Sequence, residues 1–328
     1  MKEYIQSVIV LIIFIAVIPC LAFVSDEKAE ETSADVSIDT VKIYFRDKQK
    51  TEEYSLEEYM TGAVLAQMPA DFDDEAIKAQ AVLAKTYILR RKICEDKSPT
   101  NDLHGAIISD DTSLYQGFFT KEQAEKFYSS GKVKGYDFDK AYNKVKNDVK
   151  AVLDYTLTYN NEPVIVAFHA VSSGYTESAE TAWGEKIPYL LAVKCDSDKK
   201  VDGMETKTVI SADKLKEKLS SSFKDITFSG EVADYVKTEE KNVRGYVTKV
   251  NVCGKEITGR EFAEALDISS PCFKTDYNDG NFTFTSYGCG HLVGMSQYGA
   301  ESMAKDGRKF DEILKNFYIG CEVQRLTK

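Results

Sequence analysis

Residues 55–69 read SLEEYMTGAVLAQMP. Ser55 followed three places later by Glu58 is a capping box: the serine hydroxyl accepts from the Glu58 backbone N–H while the glutamate reaches back to the start of the helix. Leu56, Tyr59, Met60, Ala63 and Val64 then recur at the spacing of a helix with one buried face. Pro69 disfavours helical geometry in the residue before it, so the helix ends near Met68. The next place on the same stripe belongs to Gln67. A carboxamide aimed at the interior needs partners, because burying it unpaired costs about 1–3 kcal/mol. Nearby backbone meets that need in an ordinary core; a ligand meets it in a site.

Outward from this helix the pattern stays mixed. Two short strands are predicted before it, at 40–47 and 50–54. A second helix opens at Asp73-Asp74 and carries Ile77, Ala81, Ala84 and Ile88 on one face as far as Lys92. A more polar excursion over about 94–138 contains a further short helix. Tyr142, Val145, Val149 and Val152 mark another helix over 139–153. Alternation at 156–159 and 164–169 around Asn160-Asn161 signals a hairpin. Ser211 caps a helix to about Leu219, and strands at 246–252 and 255–257 flank Gly254. Thr258 and Glu261 form another capping box, opening a helix to Leu266. A strand at 281–287 runs into Gly288-Cys289-Gly290-His291, and helices near 295–306 and 310–318 follow, with Gly307 ending the first. There is no internal repeat. Helices and hairpins without regular strand–helix alternation predict an α+β fold.

The chain has 328 residues, with 42 basic against 53 acidic side chains and a net charge of -11. That balance lacks the basic footprint of a nucleic-acid binder. From Val8 to Val24 run 17 residues, VIVLIIFIAVIPCLAFV, without a charge. They are long enough to reach the lower limit for a transmembrane helix and too long for a usual signal-peptide core. Residues 1–24 are therefore expected to form a single membrane anchor, with a cleaved signal as the alternative. Lys2 on one side and Asp26, Glu27, Glu30 and Glu31 on the other place the body outside the cytoplasm. Residues 25–38, SDEKAEETSADVSI, read as an acidic linker, and 39–328 as the body. Six cysteines fall in that body: Cys94, Cys195, Cys253, Cys272, Cys289 and Cys321. Buried thiols and disulfides are equally open to them.

Three stretches carry a resemblance. Residues 56–87, LEEYMTGAVLAQMPADFDDEAIKAQAVLAKTY, residues 168–183, FHAVSSGYTESAETAW, and residues 288–300, GCGHLVGMSQYGA, occur in order. Together they resemble the stage II sporulation protein D family of peptidoglycan lytic transglycosylases, from about residue 40 to the C-terminus. The resemblance implies non-hydrolytic cleavage of the MurNAc–GlcNAc bond in stem-peptide-free glycan strands during engulfment in sporulation. It also implies a membrane tether facing the wall. The partners implied are a cell-wall amidase and a polytopic membrane protein of the engulfment machinery.

The family's acid/base is a glutamate in a Glu-Met-Pro triplet, whereas this chain has Gln67-Met68-Pro69. A glycoside hydrolase uses two carboxyl groups. A lytic transglycosylase manages with one, which protonates the leaving oxygen and then, as carboxylate, takes the proton of the sugar's own C6 hydroxyl. An amide supplies neither acidity nor basicity, although it still hydrogen-bonds a glycan. Two readings follow, an enzyme and a catalytically impaired glycan-binding or structural protein. Glu177 and Glu180, after the Ser172-Ser173-Gly174 loop, are the substitute acids to consider. Lys78 and Lys85 lie seven apart on one helix face, and Lys85 stands where the family usually has arginine. Tyr87 and Gln116 match family cleft positions, and the family places the Ser172-Ser173 loop in its cleft. His169 and His291 each follow strand-like runs and precede Ser/Gly-rich turns, consistent with a cleft rim, and Ser296 and Gln297 shape a loop leading into a helix N-terminus suited to sugar hydroxyls. With Lys78, Lys85, Glu177 and Glu180 these are the expected substrate contacts, and Trp183 and Tyr189 are stacking or core rings. Tyr115 stands where some relatives carry a zinc-binding cysteine, so neither metal nor cofactor is expected.

Overall fold

The computed structural model describes residues 38–130 and 137–325, which form a mixed α+β fold. The expected anchor at 1–24 and most of the linker lie outside the described residues. Among the described residues no helix is long and apolar enough to cross a membrane. The chain divides into two compact units, one of residues 168–299 and one of the segments before and after it.

The second of these units is built on the opening helix. Strands β1 (Thr40–Phe45) and β2 (Lys50–Ser55) form an antiparallel hairpin. The chain turns directly into α1 (Leu56–Gln67), with the capping box in place: the Ser55 hydroxyl accepts from Glu58 N at 3.2 Å, and Ser55 N donates to the Glu58 carboxylate at 2.9 Å. The stripe was expected to bury one face. Every residue of α1 except Glu57 and Glu58 is buried. The reason is tertiary, because α1 is packed by the hairpin and by three helices: α2 (Asp74–Lys97), α3 (Lys121–Ser129) and α4 (Phe138–Ala151). Helix α2 is likewise buried from residue 76 to 89 except at Lys78, and it runs past Lys92 to Lys97.

The excursion folds back onto α1. A short strand β3 (Ile108–Ser109) adds in parallel to β1, and residues 116–119 lie along the helix, where Phe119 N donates to Gly62 O at 3.2 Å. The Phe118 ring stacks on Tyr59 with centroids 5.7 Å apart. A Cβ at position 62 would overlap the Phe119 carbonyl and the Phe118 ring, so this crossing needs glycine.

The hairpin predicted at 156–169 is shorter than expected. Strand β4 (Tyr155–Tyr159) pairs with β5 (Glu162–Pro163) across Asn160 and Asn161, both at positive φ, and then the ladder stops. The Tyr318 hydroxyl takes both backbone groups of Ala167: it accepts from Ala167 N at 3.0 Å and donates to Ala167 O at 2.5 Å. That residue is thereby withdrawn from strand pairing. The other edge of β4 pairs with β14 (Glu322–Arg325), after α9 (Phe310–Phe317).

In the unit of residues 168–299, β6 (Phe168–His169) pairs in parallel with β13 (Met295–Ser296). The sheets β11 (Phe273–Asn278), β12 (Asn281–Tyr287), β7 (Glu205–Ser211) and β10 (Lys255–Ile257), β9 (Val247–Val252), β8 (Val236–Lys241) pack with α6 (Ala212–Ser222) and α7 (Gly259–Leu266). Phe262, Phe273, Phe282 and Phe284 fill their core. A short helix α5 (Ala179–Trp183) follows the Ser172–Gly174 loop, and α8 (Gln297–Lys305) leads the chain out. The six cysteines of the body are free thiols, and burial pushes Cys195, Cys289 and Cys321 up to about 12, too high for thiolate chemistry near neutrality.

Gly62→Ala is expected to destabilise the protein by about 1–3 kcal/mol or more, because rigid backbone, not a flexible side chain, occupies the space. Denaturant unfolding measures this, and an unchanged midpoint would contradict the packing described.

Candidate functional site

Gln67, at the last turn of α1, is 0% exposed and lies at the centre of an amide network. Its Oε1 accepts from Gln116 Nε2 at 2.9 Å and from Gln80 Nε2 at 3.2 Å. Its Nε2 donates to the carbonyl of Gly117 at 3.0 Å. Gln116 in turn accepts from the Tyr59 hydroxyl at 2.9 Å and donates its backbone N–H to the Tyr87 hydroxyl at 3.1 Å. Burial holds the Tyr59 phenol well above its ordinary value, so it stays a neutral donor. The structure thus brings together Gln67, Tyr87 and Gln116 of the expected site residues. Gln80 was missed. Its signal was the same as that of Gln67, one carboxamide inside the apolar run AQAVLA.

Lys78 and Lys85, both on α2, are each engaged. Lys78 pairs with Glu75 at 2.9 Å. Lys85 is buried, donates to Leu153 O at 2.6 Å, and has its pKa lowered to about 8 by loss of solvent, with Asp154 opposing. One acid of this unit was not anticipated: Asp148 on α4 is buried, and desolvation raises it to about 6 although Lys144 lies 3.5 Å away.

The unit of residues 168–299 gathers the other two motifs. Val293 sits between both histidines. His169 Nδ1 faces Val293 O at 3.1 Å, and a carbonyl can only accept, so the proton is on Nδ1 and Nε2 is a bare acceptor. His291 Nδ1 accepts from Val293 N at 3.0 Å, which places its proton on Nε2, bonded to the Phe168 backbone. One residue thereby fixes opposite tautomers. Burial lowers His169 to about 3, with His291 adding to the effect, and lowers His291 to about 4, so both are neutral at physiological pH. His169 Nε2 is buried without a partner among the described residues, as is the indole nitrogen of Trp183, whose ring meets His291 at 5.5 Å. Gly290 permits close packing against His169, since a Cβ there would lie 2.9 Å from His169 Cβ.

Asp198, also missed, ties these loops. Its buried Oδ2 accepts from Ser172 N at 2.7 Å and from the Ser296 hydroxyl at 2.7 Å, while its Oδ1 has no partner among the described residues. Desolvation raises its pKa against the pull of those donors. Ser172 Oγ accepts from Gly174 N at 3.1 Å, Ser173 Oγ donates to Cys272 Sγ at 3.4 Å, and Gln297 is buried at the start of α8. Glu177 is buried and fully engaged: Arg244 Nε and Asn242 Nδ2 donate to it at 3.0 and 2.6 Å, Ser178 N at 2.8 Å, and Arg244 Nη2 closes the bidentate pair. That ion pair makes Glu177 a structural tie to Asn242 and Arg244. Glu180 is exposed in the first turn of α5.

A family model described as Stage II sporulation protein matches residues 44–159, the segment that builds the amide network. The chain is 31% identical over 344 residues to the stage II sporulation protein D of Bacillus subtilis (strain 168), with 98% of this chain and 96% of that protein covered. It is 33% identical over 301 residues to the protein of the same name from Bacillus amyloliquefaciens, covering 92% and 83%. The chain belongs to the stage II sporulation protein D family. It is also 26% identical over 318 residues to the amidase enhancer of Bacillus subtilis (strain 168), covering 80% of this chain and 39% of that protein.

Asp198→Asn is expected to fold, because the amide oxygen replaces Oδ2 and keeps both of its donors. Asp198→Ala should cost about 1–3 kcal/mol for each donor left unpaired. A raised folded pKa means that the folded state holds its proton longer than the unfolded one. Stability contributed by this group is therefore present at low pH and lost as pH rises through the folded value. Thermal unfolding from pH 4 to 8 should show the Asn variant gaining on the parent as pH rises; a constant gap would refute the assignment.

Proposed function

We propose that this protein is a membrane-tethered, cell-wall-facing sporulation protein that binds stem-peptide-free peptidoglycan glycan strands, and that in its present sequence it binds more than it cuts. The observation that carries the reading is the amide at position 67, which bonds to the Gln80 and Gln116 carboxamides and to the Gly117 carbonyl. Membership in the family supports the sporulation role, and the likeness to a protein named amidase enhancer supports a cell-wall amidase as partner. A polytopic membrane protein of the engulfment machinery is the second partner proposed.

The reaction proposed for the family is formation of a 1,6-anhydroMurNAc end, and it needs one group that gives a proton to the leaving oxygen and recovers one from the C6 hydroxyl. Gln67 does neither. Loss of a general acid–base lowers turnover by about 10²–10⁴. Glu177 is held in its ion pair, which leaves Asp148 as the next acid to examine in the unit that contains Gln67.

Gln67→Glu is expected to create turnover, releasing products that end in 1,6-anhydroMurNAc from denuded glycan strands, while the parent binds strands and releases little. Equal release by both proteins would place the acid elsewhere and make Asp148→Asn the next variant. Binding without cleavage by a folded Gln67→Glu protein would favour the structural reading. The topology is tested separately: protease added to intact protoplasts should remove the body, and full protection would overturn anchoring through residues 8–24.

A further inference from the structure

We infer that Gln80 and the Gly117 carbonyl are positioning groups that make position 67 a socket for an electrically neutral side chain, one that accepts through one atom and donates through the other. The inference draws its catalytic meaning from the reading above, but it stands on geometry of its own. At one end of the Gln67 amide two N–H donors, from Gln80 and Gln116, converge on Oε1. At the other end the Gly117 carbonyl, which can only accept, lies 3.0 Å from Nε2. The orientation of the three amides is therefore self-consistent, because turning Gln67 over would set two donors against an N–H₂ and a carbonyl against a carbonyl. The network is also closed to water, with Gln67 and Gln80 at 0% and Gln116 at 3% exposure.

An acid placed in this socket meets the same demand. As carboxylate, one oxygen keeps the two donors while the other faces the Gly117 carbonyl, acceptor against acceptor, in a desolvated place. As carboxylic acid, that second oxygen carries a proton and donates it to Gly117. The socket thus selects the protonated acid, the state a lytic transglycosylase needs before its first step, and it does so with groups from α1, α2 and the returning excursion. Among the described residues, charged and titratable groups on the elements packed against it have partners of their own. On α2, Lys85 is bonded to Leu153 O. On α4, Lys146 pairs with Glu57 at 3.4 Å, and Lys144 bonds Phe72 O at 2.7 Å with Asp148 beside it. On α3, Tyr128 donates to Leu65 O at 3.2 Å. On the hairpin, Tyr54 donates to Glu52 at 2.8 Å, and β1 turns Val41, Ile43 and Phe45 inward.

The test uses the full chain in detergent, carrying Gln67→Glu and labelled at the glutamate carboxyl carbon. Subtraction of the parent spectrum isolates residue 67. Its titration midpoint is expected about two pH units or more above the ordinary glutamate range, and higher still when Gln80→Leu removes a donor that also serves the anion. The melting temperature of Gln67→Glu should accordingly fall further below the parent as pH rises from 5 to 8. An ordinary midpoint with a pH-independent gap overturns the socket. If the variant does not fold at any pH, the parent decides: the Gln67 carboxamide protons should exchange slowly with solvent, and fast exchange overturns the inference. A raised midpoint without glycan cleavage would refute the proposed reaction and leave the socket standing, whereas cleavage with an ordinary midpoint would do the reverse.

Discussion

A buried polar group must find partners, and in this chain the Gln67 carboxamide dictates where several distant segments go. Its hydrogen bonds reach 13 residues ahead to Gln80, 49 to Gln116 and 50 to Gly117. Leaving even one of these unmade costs about 1–3 kcal/mol, comparable to a sizeable part of a domain's net stability. The excursion therefore cannot drift. It is pinned at Gln116 and Gly117 by amides and at Gly62 by a backbone approach that admits no side chain. Helix α1 loses its solvent face in consequence.

The same logic governs the unit of residues 168–299, with a carboxylate in place of the amide. Asp198 holds the Ser172 backbone and the Ser296 hydroxyl, and Val293 settles the tautomers of His169 and His291. What these contacts leave over has chemical character. His169 Nε2 and Asp198 Oδ1 are buried acceptors without donors among the described residues. A hydroxyl or an amide N–H has the complementary polarity.

The substitution of amide for acid alters one atom and the sign of its hydrogen bonding, not the shape of the side chain. A neutral amide satisfies the frame at every pH, whereas an acid does so only while protonated. The present residue thus satisfies the frame without a group that titrates.

Local bonding was legible in the sequence, because its partners lie within a turn or two. The Ser55–Glu58 and Thr258–Glu261 boxes, the helix over 56–67 and the turn at Asn160-Asn161 all depend on contacts a few residues long. The first motif contains Gln67 and Tyr87, and the family resemblance pairs Tyr87 with Gln116. Tertiary structure alone decided the rest. The reach of a carboxamide or carboxylate says that it needs partners, not which ones, and Asp198 finds its own 26 and 98 residues away. The Arg244 that neutralises Glu177 lies 67 residues on, and the Tyr318 hydroxyl that ends a hairpin lies 151 residues from Ala167. Periodicity predicted one buried face on α1 because it counts apolar residues. Packing buried nearly all of it because four elements close on it at once, and no helical repeat encodes what arrives from elsewhere in the chain.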